Sequence, residues 1–271
     1  MSIAVLGTGP LARRFAAAAL DAGRTVALFG DPNAVVDTIE HLDGGDCVDG
    51  TTDLDAAVAG ASFVLDGRDH EDAQRALATV EAAAPADATL VLASDGSITA
   101  AAAGCRDPGR VLGLTRLDDT DAIELVATDH TDPSIQDDAR DLLDELGFEV
   151  VPVRDVPGRV GRRLQLALER EAMLALEDGV ATPGDIDRAM EAAYGHPEGP
   201  LATADRVGLD RRLASLESLA EYLGDRFEPP EILRERVEAG ETGRDAGRGF
   251  YAYEDGERVD AGETVPEDGP P

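Results

Sequence analysis

The most restrictive feature of the chain is the segment Gly7-Thr8-Gly9-Pro10-Leu11-Ala12, set directly between a β-type run at 3–6 and a helical pattern that starts at Pro10. A G-x-G-x-x-A pattern carries meaning only in that context, where it turns a strand into a helix within a few residues. Gly7 permits the tight turn, Gly9 lets the backbone approach a pyrophosphate, and Ala12 is small enough for close helix-to-strand packing. With Leu11 in the first helical turn, the exposed amides of this helix start form a place for an anion. The segment predicts a dinucleotide-binding turn; the competing reading is a structural turn without a ligand. An acidic residue normally ends the second strand and bonds the adenine ribose, but here Phe29 is followed by Gly30, with Asp31 one position later. Asp31 either takes that role after a small backbone shift or caps the turn before Pro32. No arginine follows immediately to receive a 2′-phosphate, so the expected cofactor is NAD, ahead of NADP.

The rest of the chain extends this opening into a fold class. Up to about residue 153, β-rich runs at 3–6, 25–29, 62–65, 89–93, 111–114, 123–127 and 148–153 alternate with amphipathic stretches at 10–22, 53–59, 71–84 and 134–146. That alternation predicts an α/β domain with a doubly wound parallel sheet and crossover helices. Beyond Asp155-Val156-Pro157-Gly158 the period changes to that of helices, with no further strands expected. Val160, Leu164, Leu168, Ala172 and Leu176 recur every four residues, Thr182-Pro183 is a capped helix start, and further helices are expected near 211–223 and 230–238. The expected organisation is a nucleotide-binding domain at 1–154, an all-α C-terminal domain at 155–254 and an acidic, disordered tail at 255–271.

Composition narrows the partners. The 271 residues include 43% hydrophobic side chains, enough to fill real cores, and 24 Lys plus Arg against 56 Asp plus Glu give a net charge of -32. Nucleic acid and anionic membrane are therefore poor partners. All the basic residues are arginine, which excludes lysine Schiff-base chemistry and a P-loop cradle. The acidity is spread along the whole chain, as on a surface suited to a salt-rich cytoplasm, where a Debye length of about 3 Å at 1 M salt screens self-repulsion. Cys47 and Cys105 form no CxxC, an apolar strand follows Met1-Ser2 at once, and the apolar run at 15–20 is too short to span a bilayer. A soluble protein of a reducing cytoplasm is expected. No His/Cys/acid spacing recommends a metal site.

With a GxGxx(G/A) domain first and a helical domain second, the chain resembles the NAD-dependent 3-hydroxyacyl-CoA dehydrogenases. The strings that carry the resemblance are Asp155-Val156-Pro157-Gly158, Glu177-Asp178-Gly179-Val180-Ala181-Thr182-Pro183-Gly184-Asp185-Ile186-Asp187, Gly195-His196-Pro197-Glu198-Gly199-Pro200-Leu201, Ala204-Asp205-Arg206-Val207-Gly208-Leu209-Asp210 and Gly243-Arg244-Asp245-Ala246-Gly247-Arg248-Gly249-Phe250-Tyr251. The resemblance implies a Rossmann domain joined to a helical domain through which members form homodimers.

It also implies a catalytic pair that this chain does not match. In the family a histidine in a His-Phe-Phe-Asn-Pro segment takes the proton of the 3-hydroxyl, and a glutamate twelve residues on orients it. Following the match through Arg110-Val111-Leu112-Gly113-Leu114 puts Thr115 at the histidine, Asp118 at the asparagine and Ala127 at the glutamate. A threonine hydroxyl is too weakly basic to replace imidazole at neutral pH. Ser97 matches the family's serine-bearing loop, with Asp95 replacing its asparagine neighbour, and Arg162 falls where the family has another asparagine. The family's CoA-gripping arm is shortened here to 31–50, which holds acidic side chains and neither Lys nor Arg. Such a segment repels CoA phosphates.

Three functional readings follow. The first is an NAD-binding oxidoreductase of this family with reduced competence toward acyl-CoA. The second is a dehydrogenase acting on a smaller, carboxylated hydroxy or oxo substrate, with Ser97, Asp118 or Arg162 in place of the missing pair. The third is a non-catalytic dimeric module that senses NAD or is stabilised by it. Among the histidines, His41, His130 and His196 read as surface or turn residues, whereas His70, between Asp69 and Glu71 after a strand, is placed to overhang a cofactor.

Overall fold

The computed structural model describes residues 2–117 and 120–259. They divide into two compact units, one up to Arg159 and one from Val160 onward. The division falls after Arg159 and not after 154, because Asp155 and Arg159 bond to loops of the first unit.

The first unit contains an eight-stranded sheet in the order β3-β2-β1-β4-β5-β6-β7-β8. Its strands are β1 (Ser2–Leu6), β2 (Thr25–Phe29), β3 (Val48–Thr51), β4 (Phe63–Asp66), β5 (Thr89–Ala93), β6 (Val111–Arg116), β7 (Ala122–Ala127) and β8 (Glu149–Arg154). The helices are α1 (Pro10–Asp21), α2 (Pro32–Glu40), α3 (Leu54–Val58), α4 (Ala73–Ala83), α5 (Ile98–Ala102) and α6 (Pro133–Glu145). Alternation along each strand divides the apolar side chains between two faces. Ile3, Val5, Val26, Leu28 and Leu65 pack with Phe15 of α1 and Leu142 of α6, while Ala4, Leu6, Val64, Leu90 and Leu92 pack with Leu77 of α4 and Ile98 of α5. Both faces are covered, as the near-continuous apolar runs require.

The sheet is not wholly parallel, which corrects the expectation from the sequence. β6 and β7 pair antiparallel, because the connection between Arg116 and Ala122 is too short for a crossover. β3 and α2 were also not anticipated. β3 is the short edge strand Val48-Asp49-Gly50-Thr51, and α2 follows a capped Asp31-Pro32 start.

The second unit is built from α7 (Gly161–Glu177), α8 (Pro183–Tyr194), α9 (Pro200–Val207), α10 (Leu209–Leu223) and α11 (Glu231–Glu238) around Leu166, Met173, Leu201, Leu216, Phe227, Leu233 and Phe250. It is not free of strands: β9 (Ala252–Glu254) and β10 (Glu257–Val259) form an antiparallel hairpin. Residues 255–259 therefore belong to structure and not to a disordered tail, since the Asp255-Gly256 turn, both residues at positive φ, folds the chain back on itself.

Two buried carboxylates, Asp187 and Asp205, tie the family-like segments of the second unit together. Asp187, one of α8, accepts the amides of Leu201 and Ala202 at 2.8 and 2.9 Å and the Tyr251 hydroxyl at 2.7 Å. Asp205, one of α9, accepts the amides of Phe250 and Tyr251, both at 2.9 Å, and the Tyr253 hydroxyl at 3.1 Å. A Cβ at Gly199 would fall on Asp187, and one at Gly249 on the Asp205 carboxylate. These residues are fold-forming, and none of their polar contacts is catalytic in character.

Glu169 and Arg212 form a further buried pair at 2.8 Å. Burial pushes the Glu169 carboxyl up to about 7, against the opposing pull of Arg212. A carboxyl that binds its proton more tightly when folded stabilises the fold in acid, so this contribution is lost as pH rises from the unfolded carboxyl value of about 4.3 through the folded one. At fixed high salt, the melting temperature of the wild-type protein is expected to fall between pH 5.5 and pH 8. Glu169→Gln should show a smaller fall whatever its absolute stability; an equal fall in both would remove Glu169 as the source.

Among the described residues, no helix is long and apolar enough to cross a membrane, and no cluster of three or more His, Cys, Asp or Glu is placed to hold a metal ion.

Candidate active site

β1 lies between β2 and β4, and the crossovers leave it in opposite directions, so a crevice opens above its carboxyl end. Gly7 stands at that edge with φ +112° and donates its amide to the Phe29 carbonyl at 2.8 Å. A Cβ there would come within 3.2 Å of both Arg68 and the Gly67 backbone, so conformation and packing each demand glycine.

Gly9 is different. Its φ of -69° and ψ of 174° suit any residue, and a Cβ would meet nothing within 4 Å. Nothing in the fold of this chain requires glycine at this exposed position. What glycine leaves there is bare backbone next to open space, which is the room an approaching pyrophosphate needs. The start of α1 fits the same ligand. Asp31, Asp53, Asp72, Ser97 and Asp132 cap α2 to α6 with their side chains, whereas α1 has Gly9 as its N-cap and no side-chain cap. The α1 amides are thus left for an anion. Ala12 is 1% exposed and packs toward Gly67, where a Cβ would lie 3.6 Å from its own. Leu11 is half-buried against the core of the first unit. Asp31 caps α2 through Oδ1, which accepts the amides of Asn33 at 3.0 Å and Ala34 at 3.2 Å.

A charged cluster follows β4. Asp66, 1% exposed, receives Nε and Nη2 of Arg68, each at 2.8 Å, and lies 3.0 Å from His70 Nε2. The sequence points to His70 but not to Asp66 or Arg68.

At the carboxyl end of β6 lies an arginine-centred network. Thr115 donates its hydroxyl to the Ser94 carbonyl at 3.1 Å and accepts a hydrogen bond from Arg159. Arg159, 5% exposed, also donates to the carbonyls of Ser94 and Gly96, both at 2.8 Å, and lies 3.9 Å from Asp155. Ser97 donates to Asp155 at 2.9 Å while capping α5. Burial works against the Asp155 charge, but the amides of Thr99 and Ile98 and the Ser97 hydroxyl outweigh it and hold its carboxyl below the usual range. Ser97 and Thr115 are therefore brought into one network, in which both hydroxyl protons are already committed.

Ala127 is not beside Thr115. Thr115 pairs across the ladder with Glu124, and Ala127 lies further along β7 on the other face. Glu124 is 1% exposed, and its signal in the sequence is a charge inside the apolar run Ala122-Ile123-Glu124-Leu125-Val126. Asp118 lies outside the described residues. Arg162 belongs to the second unit, exposed in the first turn of α7.

The model of the 3-hydroxyacyl-CoA dehydrogenase C-terminal domain matches residues 158–253. A probable 3-hydroxybutyryl-CoA dehydrogenase from Bacillus subtilis is 38% identical over 172 residues, covering 61% of this chain and 60% of that protein. The match thus spans about three fifths of the length of such relatives. The 5-formyl-3-hydroxy-2-methylpyridine 4-carboxylate 5-dehydrogenase of Mesorhizobium japonicum is 30% identical over 234 residues, covering 82% of this chain and 72% of that protein. In structure, the (S)-3-hydroxybutyryl-CoA dehydrogenase of Ralstonia eutropha superposes with a TM-score of 0.85 at 26% identity, over 93% of this chain and 99% of that one. Members of this family are NAD-dependent oxidoreductases, and the Rossmann core that serves the cofactor is present. By its C-terminal domain, its relatives and its fold, the chain is a member of the 3-hydroxyacyl-CoA dehydrogenase family.

Proposed function

We propose that this chain binds NAD at the β1–β4 crevice but oxidises 3-hydroxyacyl-CoA poorly or not at all. The observation that carries this reading is the state of Thr115, the residue that the family resemblance sets at the base position: its hydroxyl is bonded to the Arg159 guanidinium. Neither group takes a proton from an alcohol at neutral pH, since arginine stays charged and the threonine hydroxyl is a feeble base. Bound NAD supplies the hydride acceptor. Gly7, Gly9, Leu11 and Ala12 shape the space for its pyrophosphate, and the second Asp31 oxygen remains for the ribose. The acidic segment 31–50 supports the same reading, because it holds neither Lys nor Arg for CoA phosphates.

A second reading is favoured by the Mesorhizobium relative, whose name records a small pyridine carboxylate as its substrate. On that reading this chain turns over a compact carboxylated hydroxy or oxo compound. Exposed apolar side chains of the second unit, Leu164, Val180, Tyr194 and Tyr222, support pairing with a second copy. The experiment is a substrate panel followed by NADH absorbance in molar KCl, comparing 3-hydroxybutyryl-CoA with carboxylated alcohols that lack CoA. Turnover of a carboxylated alcohol alone supports the second reading. Turnover of the CoA thioester at an ordinary rate for the family contradicts the first.

A further inference from the structure

The cluster after β4 does more than balance a buried charge. Resting on the assignment of the cofactor to this crevice, we propose that Arg68 is a phosphate-binding residue of the dinucleotide site, fixed in position by Asp66.

Its placement comes first. Cγ of Arg68 lies 3.2 Å from where a Gly7 Cβ would be, and its Cζ lies 5.2 Å from the centre of the Phe29 ring. The side chain therefore crosses from β4 over the glycine turn toward the end of β2, above the strand ends where the phosphates of a dinucleotide lie. Orientation comes second. Asp66 binds the Nε and Nη2 edge of the guanidinium, and Nη1, on the edge turned away from that carboxylate, has no hydrogen-bond partner among the described residues. The carboxylate is nearly fully buried and holds the fork at two points, so the guanidinium is already ordered before a ligand arrives.

Charge comes third. In a chain of net charge -32, a phosphate needs a local cation. Arg13, the other arginine at the turn, is committed to the Thr8 carbonyl at 2.8 Å and to Asp37 at 2.8 Å. The chemistry recognised is a phosphate oxygen of an adenine dinucleotide, supplied either by the pyrophosphate beside Gly9 or by a ribose 2′-phosphate beside Asp31.

The test is direct binding. NADH and NADPH are titrated by fluorescence into the full-length protein, its Arg68→Gln variant and its Arg68→Lys variant at one fixed salt concentration, with thermal melts to establish folding. Arg68→Gln is expected to weaken binding about 10- to 100-fold, the usual effect of losing a charge-assisted hydrogen bond. Arg68→Lys, which keeps a cation for Asp66 but no second edge, should weaken it about 10-fold. Equal losses for both dinucleotides identify the pyrophosphate; a loss confined to NADPH identifies the 2′-phosphate. Unchanged affinity in a folded Arg68→Gln protein overturns the proposal, and if that variant does not fold, unchanged affinity in Arg68→Lys does so. A wild-type protein that binds neither dinucleotide removes the cofactor assignment itself, a separate failure visible before any variant is made.

Discussion

Asp205→Ala is expected to destabilise the second unit by about 3–5 kcal/mol, the loss typical of deleting the shared acceptor of several buried donors. The side chain is 1% exposed and accepts two adjacent amides, those of Phe250 and Tyr251, together with the Tyr253 hydroxyl. Alanine leaves all three donors without their acceptor in a space closed to water. Burial raises the Asp205 carboxyl above its usual range even though those amides favour its charged form, which indicates how little solvent reaches it. Gly249→Ala should do comparable damage by another route, since its new Cβ would collide with the same carboxylate and the loop would have to move. Urea unfolding at fixed high salt measures both. Stability of either variant within about 0.5 kcal/mol of wild type, the range of ordinary surface substitutions, would show that this knot does not hold the unit together.

Arg159→Met is expected to cost the first unit about 3–5 kcal/mol, because a buried charged donor is removed from beside a buried acid. The guanidinium serves the Ser94 and Gly96 carbonyls and Thr115, tying the β5 and β6 ends to the chain after β8. Arg159 also has φ +44°, an uncommon left-handed conformation for a side chain of this size, so these contacts hold a residue that the backbone alone disfavours. Affinity for NADH should change less than about threefold, well under the tenfold that 1.4 kcal/mol represents, because Gly7 and Gly9 lie at β1 and not at β6. A variant as stable as wild type would contradict the structural role. A variant that stays folded but loses NADH would place Arg159 in the cofactor site.

The glycine turn was legible in the sequence because its signal is local: a strand, Gly7, Gly9, Ala12 and a helix follow one another within the chain. The second unit was legible as helices through its fourfold spacing, and its strings were visible as a family pattern. Their purpose was not visible, because Asp187 and Asp205 bond to residues far along the chain. Strand direction was also hidden, although the short span between Arg116 and Ala122 is a usable sign of the antiparallel pair. Around the β6 end, the family resemblance points to Thr115 and Ser97. It does not point to Arg159, Glu124, Asp66 or Arg68, because each acquires its meaning from a partner chosen by tertiary structure. Two of them did leave a trace, Glu124 as a charge in an apolar strand and Arg159 as a large residue just after Pro157-Gly158.

On the proposed reading, Thr115 takes the place of the family's base while the glycine turn remains intact. General-base assistance typically contributes 10²–10⁴-fold to a rate, so kcat/KM for 3-hydroxybutyryl-CoA should lie about 10²–10⁴-fold below that of a family enzyme that keeps the histidine. The most direct measurement is made on one preparation in molar KCl: NADH binding by fluorescence, then oxidation of 3-hydroxybutyryl-CoA followed by NADH formation. Saturable NADH binding with a rate in that depressed range is the predicted result. Oxidation at the rate of the histidine-bearing enzyme, measured alongside, would contradict it.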